Sequence, residues 1–273
     1  MLGGDHDLSF HHNHTVLPSE GQHNNQTAFG HHNNGPELVL NIKLVICAIA
    51  RDEAPYLSEW IEHHKLIGFD TILLYNDHST DDTQCVLDAY AKQDFVVRVP
   101  ENIGSKYMKD LPWVVNKGQI TDDPQQAIFE ACRRYLVDEE KKNGEVGATW
   151  MLTNDVDEFV WFDNDKYENM KTALSSMLSA IWIEKPWVKS IRLPNCLFGS
   201  SGEDTYAPGL VMQRFIHRDK NKLDKYKAFS RVSSVASFKR PEEHFVDGQV
   251  LSGARDIVSY FHLVHYKTKS RRE

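Results

Sequence analysis

No run of eighteen apolar residues occurs in this 273-residue chain, so the sequence encodes no membrane-spanning helix. The opening "MLGGDHDLSFHHNHTV" has neither the basic start nor the apolar core of a secretory signal. No basic stripe is present and the formal net charge is −8, which argues against nucleic acid as the main partner. Cysteine is scarce. Cys47, Cys85, Cys132 and Cys196 form no C-x-x-C pair, which speaks against zinc. They read as buried small hydrophobes, since a disulfide requires an oxidising compartment. Internal repeats are missing as well.

What remains is ordinary globular material, 41% hydrophobic and 26% charged. Residues 1–36 stand apart, with seven of the fourteen histidines, many Asn and Gly, and few apolar side chains. Such a segment cannot bury enough surface to offset its ordering entropy and is expected to be a disordered leader. Its His-rich tract could bind metal. The acceptor patterns "NHT" at Asn13 and "NQT" at Asn25 matter only in a secretory lumen.

From residue 37 onward the pattern is that of one large α/β domain. "KLVICAIA" (43–50) is a continuous apolar run and reads as a buried strand. A helix follows, with Pro55 in its first turn. Leu57, Trp60, Ile61 and His64 lie on one face, and Gly68 is its stop. "TILLYN" (71–76) and "DFVVRV" (94–99) are further strands, separated by a helix carrying Val86, Leu87 and Tyr90. Strands and helices alternating at this spacing imply parallel β-α-β units and a mostly parallel central sheet flanked by helices. Residues 100–123 read as an irregular, functional stretch. A helix over 124–142, the strand "ATWMLTN", a helix near 167–183, the strand "VKSIRLP" and short C-terminal strands complete the pattern.

The chemistry points to "TNDVDEF". Asp155, Asp157 and Glu158 interrupt an apolar run, and Asp155 and Asp157, two apart in extended chain, point to one side. Carboxylates so close repel unless a cation sits between them. Magnesium or manganese takes one or two protein carboxylates, with phosphate oxygens and water completing the shell. An open parallel sheet binds its ligands at the carboxyl ends of its strands. A D-x-D there suits a metal bridging protein to diphosphate, although such pairs also cap turns. An EF-hand is excluded, because Val160 and Lys166 occupy its obligatory Gly and Glu positions.

"AIARDEAPYLSEWIEHHKLIGFDTILLYNDHSTDDT", "DVDEF", the "FGSSG…PG" loop and "HYKTKS" resemble, in order, blocks of glycosyltransferase family 92 and its family 2-like relatives. The resemblance spans roughly residues 43–270. It implies a GT-A fold, with a nucleotide-binding part over about 43–160 and an acceptor-side part over about 161–273. The implied reaction is inverting, metal-assisted sugar transfer from a nucleotide-sugar, UDP-linked and with galactose as first guess, to a glycan or other hydroxyl acceptor. Manganese or magnesium is the implied cofactor.

On the same basis Arg51, Glu53, Asp77, Lys106, Gln119 and Asp155 are the nucleotide-side candidates. Asp155, Asp157, His265 and His244 are the metal candidates, and Glu158 beside them is a catalytic candidate, expected to orient a ligand or acceptor. The plain alternatives are an ion pair of Arg51 with Glu53 or Asp52, helix capping in "DHSTDDT", and a solvated Lys106. His262 and His265, three apart in a strand, face opposite ways. Lys267 and Lys269 could neutralise diphosphate, and Trp113, Trp161 and Trp187 could stack on sugars or fill the core. The general base is sought in Asp204 or Glu203. Relatives implied by the resemblance are Golgi-anchored in eukaryotes and cytoplasmic in bacteria. A metal-dependent nucleotide or phosphate hydrolase and a non-catalytic nucleotide-sugar-binding relative are the rival classes.

Overall fold

The computed structural model describes residues 41–99, 106–107, 114–115, 119–120, 124–144, 147–162, 165, 167–184, 188–202, 208–234, 238–240, 245–246, 250–251 and 261–266. Leu38–Glu273 forms one compact unit. The expected leader, and the candidates His244, Glu203, Asp204, Trp113, Trp187, Lys267 and Lys269, lie outside the described residues or their described side chains.

The first half follows its apolar pattern closely. Strand β1 (Lys43–Ala50) leads into α1 (Ala54–Leu66), then β2 (Thr71–Asn76), α2 (Thr83–Ala91) and β3 (Val96–Val99). Helix α1 buries Leu57, Trp60, Ile61 and His64, the stripe read from the sequence. Gly68 follows it at φ 102°, a conformation that side chains with a Cβ resist. The two-residue strands β4 (Val114–Val115) and β5 (Gln119–Ile120) pair with each other. Helix α3 (Pro124–Asn143) then precedes β6 (Thr149–Asp155) and β7 (Glu158–Phe162). Next come α4 (Met170–Glu184), β8 (Ser190–Phe198), the single turn α5 (Val211–Arg214) and the long β9 (Arg218–Arg231). Short strands β10 (Phe238–Arg240), β11 (Phe245–Val246) and β12 (Val250–Leu251) lead to β13 (Phe261–His265).

The main sheet runs β3-β2-β1-β6-β9-β8-β13-β7, with β12 also on β8. Strands β3, β2, β1 and β6 are parallel. The sheet then becomes mixed, because β9 is antiparallel to both β6 and β8 and β7 is antiparallel to β13. This corrects the expectation of a mostly parallel sheet. β-α-β periodicity reports only on strands joined by helices, and β9, entered from a loop, carries no such signal.

Three strands lie between β6 and β7 in the sheet, yet only Val156 and Asp157 join them in sequence. On a flat sheet the gap would be about 19 Å, whereas three Cα steps reach about 11 Å. The sheet must therefore curl until the end of β6 meets the start of β7. The acidic turn occupies that closure.

Helix α1 seals the outer edge of β7 with side chains in place of another strand. Trp60 Nε1 donates to the Glu158 carbonyl at 2.8 Å, and His63 Nε2 bonds the Val160 carbonyl at 2.8 Å. The Val160 amide donates to His64 Nε2 at 3.3 Å. Burial pushes both histidines below their ordinary pKa, His64 far below, so they serve here as neutral hydrogen-bonding groups.

Apolar residues lie on both faces of the sheet. One cluster joins α1, α4, β6, β7 and β13, and the other joins β1, α3 and β9. In the second, Cys47 of β1 and Cys132 of α3 form a disulfide with Cα atoms 6.5 Å apart. The sequence reading made all four cysteines simple hydrophobes. Burial holds for Cys47 and Cys132, whereas Cys85 is exposed and Cys196 only half-buried, and 85 residues of separation hid the pairing. Cys85 and Cys196 are free thiols.

Candidate functional site

The carboxyl ends of β1, β2 and β6 share one edge, where Ala50 is level with Asn76 and Ile49 with Asp155. The loops after β1 and β2 are laced together there. The Asp52 amide donates to Ser79 Oγ at 3.0 Å, and the Thr80 amide donates to Asp52 Oδ1 at 2.6 Å. The Glu53 amide reaches Thr83 Oγ1 at 2.9 Å. Asp81 accepts the amides of Ala54 and Thr83, both at 2.9 Å, so one carboxylate caps the starts of two helices. Asp52 and His78 take φ values of 53° and 54°, a left-handed conformation that costs non-glycine residues energy.

Arg51 and Asp77 project from this lacing. Arg51 Nη1 lies 3.9 Å from Asp77 Oδ2, and His78 Nδ1 lies 3.1 Å from the other oxygen. Arg51 thus turns to Asp77 across the loops, while Asp52 is committed to Thr80. Lys106 goes elsewhere. It pairs with Asp138 at 3.1 Å and with the Tyr107 hydroxyl at 2.9 Å. Asp138 lies thirteen residues beyond Gln125 on α3, about 20 Å along the helix. Gln119 is placed only by the backbone of β5.

The acidic turn is the centre of the site. Asp155 Oδ1 accepts from Gln125 Nε2 at 2.8 Å, and Oδ2 lies 2.8 Å from Lys227 Nζ. Glu158 is buried, with its side chain 1% exposed. Its Oε2 lies 3.2 Å from Lys227 and its Oε1 accepts from Asn195 Nδ2 at 2.7 Å. Asp157 Oδ2 faces His265 Nε2 at 3.3 Å, and His265 Nδ1 lies 3.2 Å from Asn195 Nδ2. His262, by contrast, stacks on Trp161 with ring centroids 4.6 Å apart. The two histidines therefore face opposite ways, as their spacing predicts.

Charges follow from burial. Desolvation pushes the Glu158 carboxyl up to about 7, with Asp155 and Asp157 adding to it against the pull of Lys227 and His265. Burial alone would lower Lys227, but Glu158 and Asp155 outweigh it and hold the ammonium protonated. Burial likewise opposes the charge on His265, yet the Asp157 hydrogen bond and the three surrounding carboxylates raise its pKa above the ordinary value. Both Glu158 oxygens are engaged inside the protein.

Lys227, Asn195 and Gln125 escaped the sequence reading. The available signal for Lys227 was a lone lysine at an inward position of "YKAF", next to the outward Tyr226. For Asn195 and Gln125 no sequence signal exists, since each is defined by what the sheet closure brings against it.

A divalent cation can be tested against these donors. Among the described residues no group of three His, Cys, Asp or Glu converges as a ligand set. Asp157 Oδ2 and His265 Nε2 do converge, and 3.3 Å is close to the roughly 3 Å expected between adjacent donors with metal bonds of about 2.1 Å. Two protein donors suit a cation whose remaining ligands are phosphate and water. The pair fits, and a metal there must displace the proton that His265 favours.

The loop after β8 is anchored at the same end of the fold. Ser201 Oγ accepts the Ile216 and His217 amides at 3.0 and 3.1 Å. Glu59 of α1 accepts the Val211 and Met212 amides at 2.7 and 3.2 Å. These contacts pin both flanks of the segment that carries Glu203 and Asp204.

Residues 43–132 match the model of glycosyltransferase family 92. A glycosyltransferase family 92 protein of Arabidopsis thaliana is 24% identical over 228 residues, covering 82% of this chain. This chain spans only 35% of that relative's length. Among solved structures, S. aureus TarS 1–349 in complex with UDP is similar at a TM-score of 0.39 and 14% identity, over 82% of this chain and 60% of that one. The TarS complex with UDP-GlcNAc gives the same score and identity, over 84% and 60%. The family match and the plant relative support a glycosyltransferase family 92 assignment.

Proposed function

We propose, with that family 92 assignment as the premise, that this chain is a GT-A-type glycosyltransferase. It moves a sugar from a UDP-linked donor to a hydroxyl acceptor with inversion. The observation that carries the reading is the convergence at one sheet edge. Arg51 and Asp77 follow β1 and β2, and Asp155 and Asp157 close β6 beside His265. Strand-end loops of this kind hold nucleotides in open α/β sheets.

Each group then has a task. Arg51 and Asp77 offer a cation and an acceptor to the nucleoside, with the laced loops fixing their backbone. Asp155, held by Gln125 and Lys227, presents a fixed acceptor to the ribose side of the donor. Asp157 and His265 would hold manganese or magnesium, which when bound supplies Lewis-acid stabilisation of the departing diphosphate. Glu158 and Asn195 orient His265 from inside the sheet closure. The general base must lie within hydrogen-bond reach of the acceptor hydroxyl. Asp204, with Glu203 as alternate, is our assignment, on the loop that Ser201 and Glu59 anchor.

The test is UDP release from a panel of UDP-sugars, UDP-galactose first, with manganese and a panel of glycan acceptors. Acceptor-dependent release is expected, reduced at least about a hundredfold in Asp157→Ala, the scale of losing one stabiliser of transition-state charge. Phosphate release independent of acceptor would favour a hydrolase. Binding without turnover would favour a non-catalytic relative.

A further inference from the structure

Asp155, Asp157 and Glu158 place three carboxylates within four residues, at a point where the sheet closes on itself. Glu158 cannot be solvated, being 1% exposed. Lys227 is buried as well, its side chain 4% exposed. Strand β9 delivers it. The register sets Phe229 opposite both Leu152 of β6 and Ile191 of β8, and Lys227 opposite Leu193. A lysine two residues before Phe229 shares its face and arrives at the level of the acidic turn.

A purely structural lysine would need only Glu158, the acid that water cannot reach. Lys227 instead lies nearer Asp155, at 2.8 Å, than Glu158, at 3.2 Å. Asp155 is 39% exposed and could have been left to solvent. Its second oxygen is taken by Gln125. An ammonium and a divalent cation cannot share one carboxylate oxygen, because like charges at contact distance repel strongly.

We infer that Lys227 is a positioning residue that apportions the acidic turn. Its ammonium occupies Asp155 and Glu158, and this leaves Asp157 with His265 as the pair that meets a divalent cation. The inference rests on the proposed transferase reading for its purpose, but its geometry concerns only this chain's own side chains. Without Lys227, the Asp155 Oδ2 it occupies would be open to the cation while Gln125 still holds Oδ1, and the orientation of the carboxylate toward the donor would loosen.

The experiment measures binding of manganese alone to the full, nucleotide-free chain, from the electron paramagnetic resonance signal of the free ion. Wild type and Lys227→Arg are expected to agree within about threefold, since arginine keeps the charge. Lys227→Met should bind manganese at least about tenfold more tightly, because a neighbouring positive charge is gone and a carboxylate is released. The double variant Lys227→Gln with Glu158→Gln keeps the net charge of the cluster and leaves no buried charge unpaired. It should bind manganese about threefold or more tightly through Asp155 alone, and it decides the matter where Lys227→Met does not fold. Unchanged or weaker manganese binding in the folded variants overturns the inference. So does an absence of manganese binding throughout, or a Lys227→Arg that behaves like Lys227→Met. Failure of the transferase reading would be seen separately, as absent sugar transfer while the manganese affinities keep the expected order.

Discussion

At the scale of single residues the site is governed by what burial does to charge. Glu158 is carried inside by the closure of the sheet, where Lys227 and Asn195 engage its two oxygens. His262 gives a cleaner test of the same physics. Burial, aided by the Arg218 charge, lowers its pKa from 6.5 to about 4. As pH falls from 6.5 towards 4, the unfolded chain takes up a proton that the folded chain refuses, so stability falls. The loss should reach up to about 3 kcal/mol and then level off below pH 4. His262→Phe, which keeps a ring against Trp161, should flatten that part of the stability profile in urea titrations. Identical slopes in the two proteins would show that His262 is not responsible. The opposite facing of His262 and His265 was legible in their spacing. Their partners, Trp161 and Asp157, were not, because both depend on the pairing of β13 with β7.

Among the elements, α1 and α3 do more than cover the sheet. Helix α1 buries the stripe the sequence displays. It also hydrogen-bonds the edge of β7 and holds α5 through Glu59. Helix α3 supplies Gln125 to Asp155 and is tied to β1 by the Cys47–Cys132 disulfide. A cross-link spanning 85 residues restricts the unfolded chain, and its removal costs about 2–5 kcal/mol. Cys47→Ala with Cys132→Ala should therefore unfold at lower denaturant, and wild type with dithiothreitol should follow it. If reduction leaves the wild-type transition unmoved, the two thiols are not bonded. Helix positions were readable because a 3.6-residue apolar period survives in the sequence. The bond between β1 and α3 was unreadable because composition says nothing about which distant cysteines meet.

Taken as a whole, the molecule depends on β9, the antiparallel strand that joins the parallel half of the sheet to the rest. Phe229 lies at the join, fully buried, stacked on Trp150 at 6.0 Å and tilted against Phe69 at 6.1 Å. Phe229→Ala should lower stability by about 3–5 kcal/mol, measured by urea unfolding followed by tryptophan fluorescence and circular dichroism. A cost below about 1.5 kcal/mol would mean that the two halves are joined elsewhere. The amino-acid sequence by itself determined the parallel β-α-β half, the face that α1 buries and the location of the acidic turn. Each of these is written in local apolar periodicity or in a cluster of like charges. Only the tertiary structure decided the mixed sheet, its curl and the partners of each carboxylate. Those follow from strands that pair across long stretches of sequence, and from a two-residue link too short for any flat arrangement.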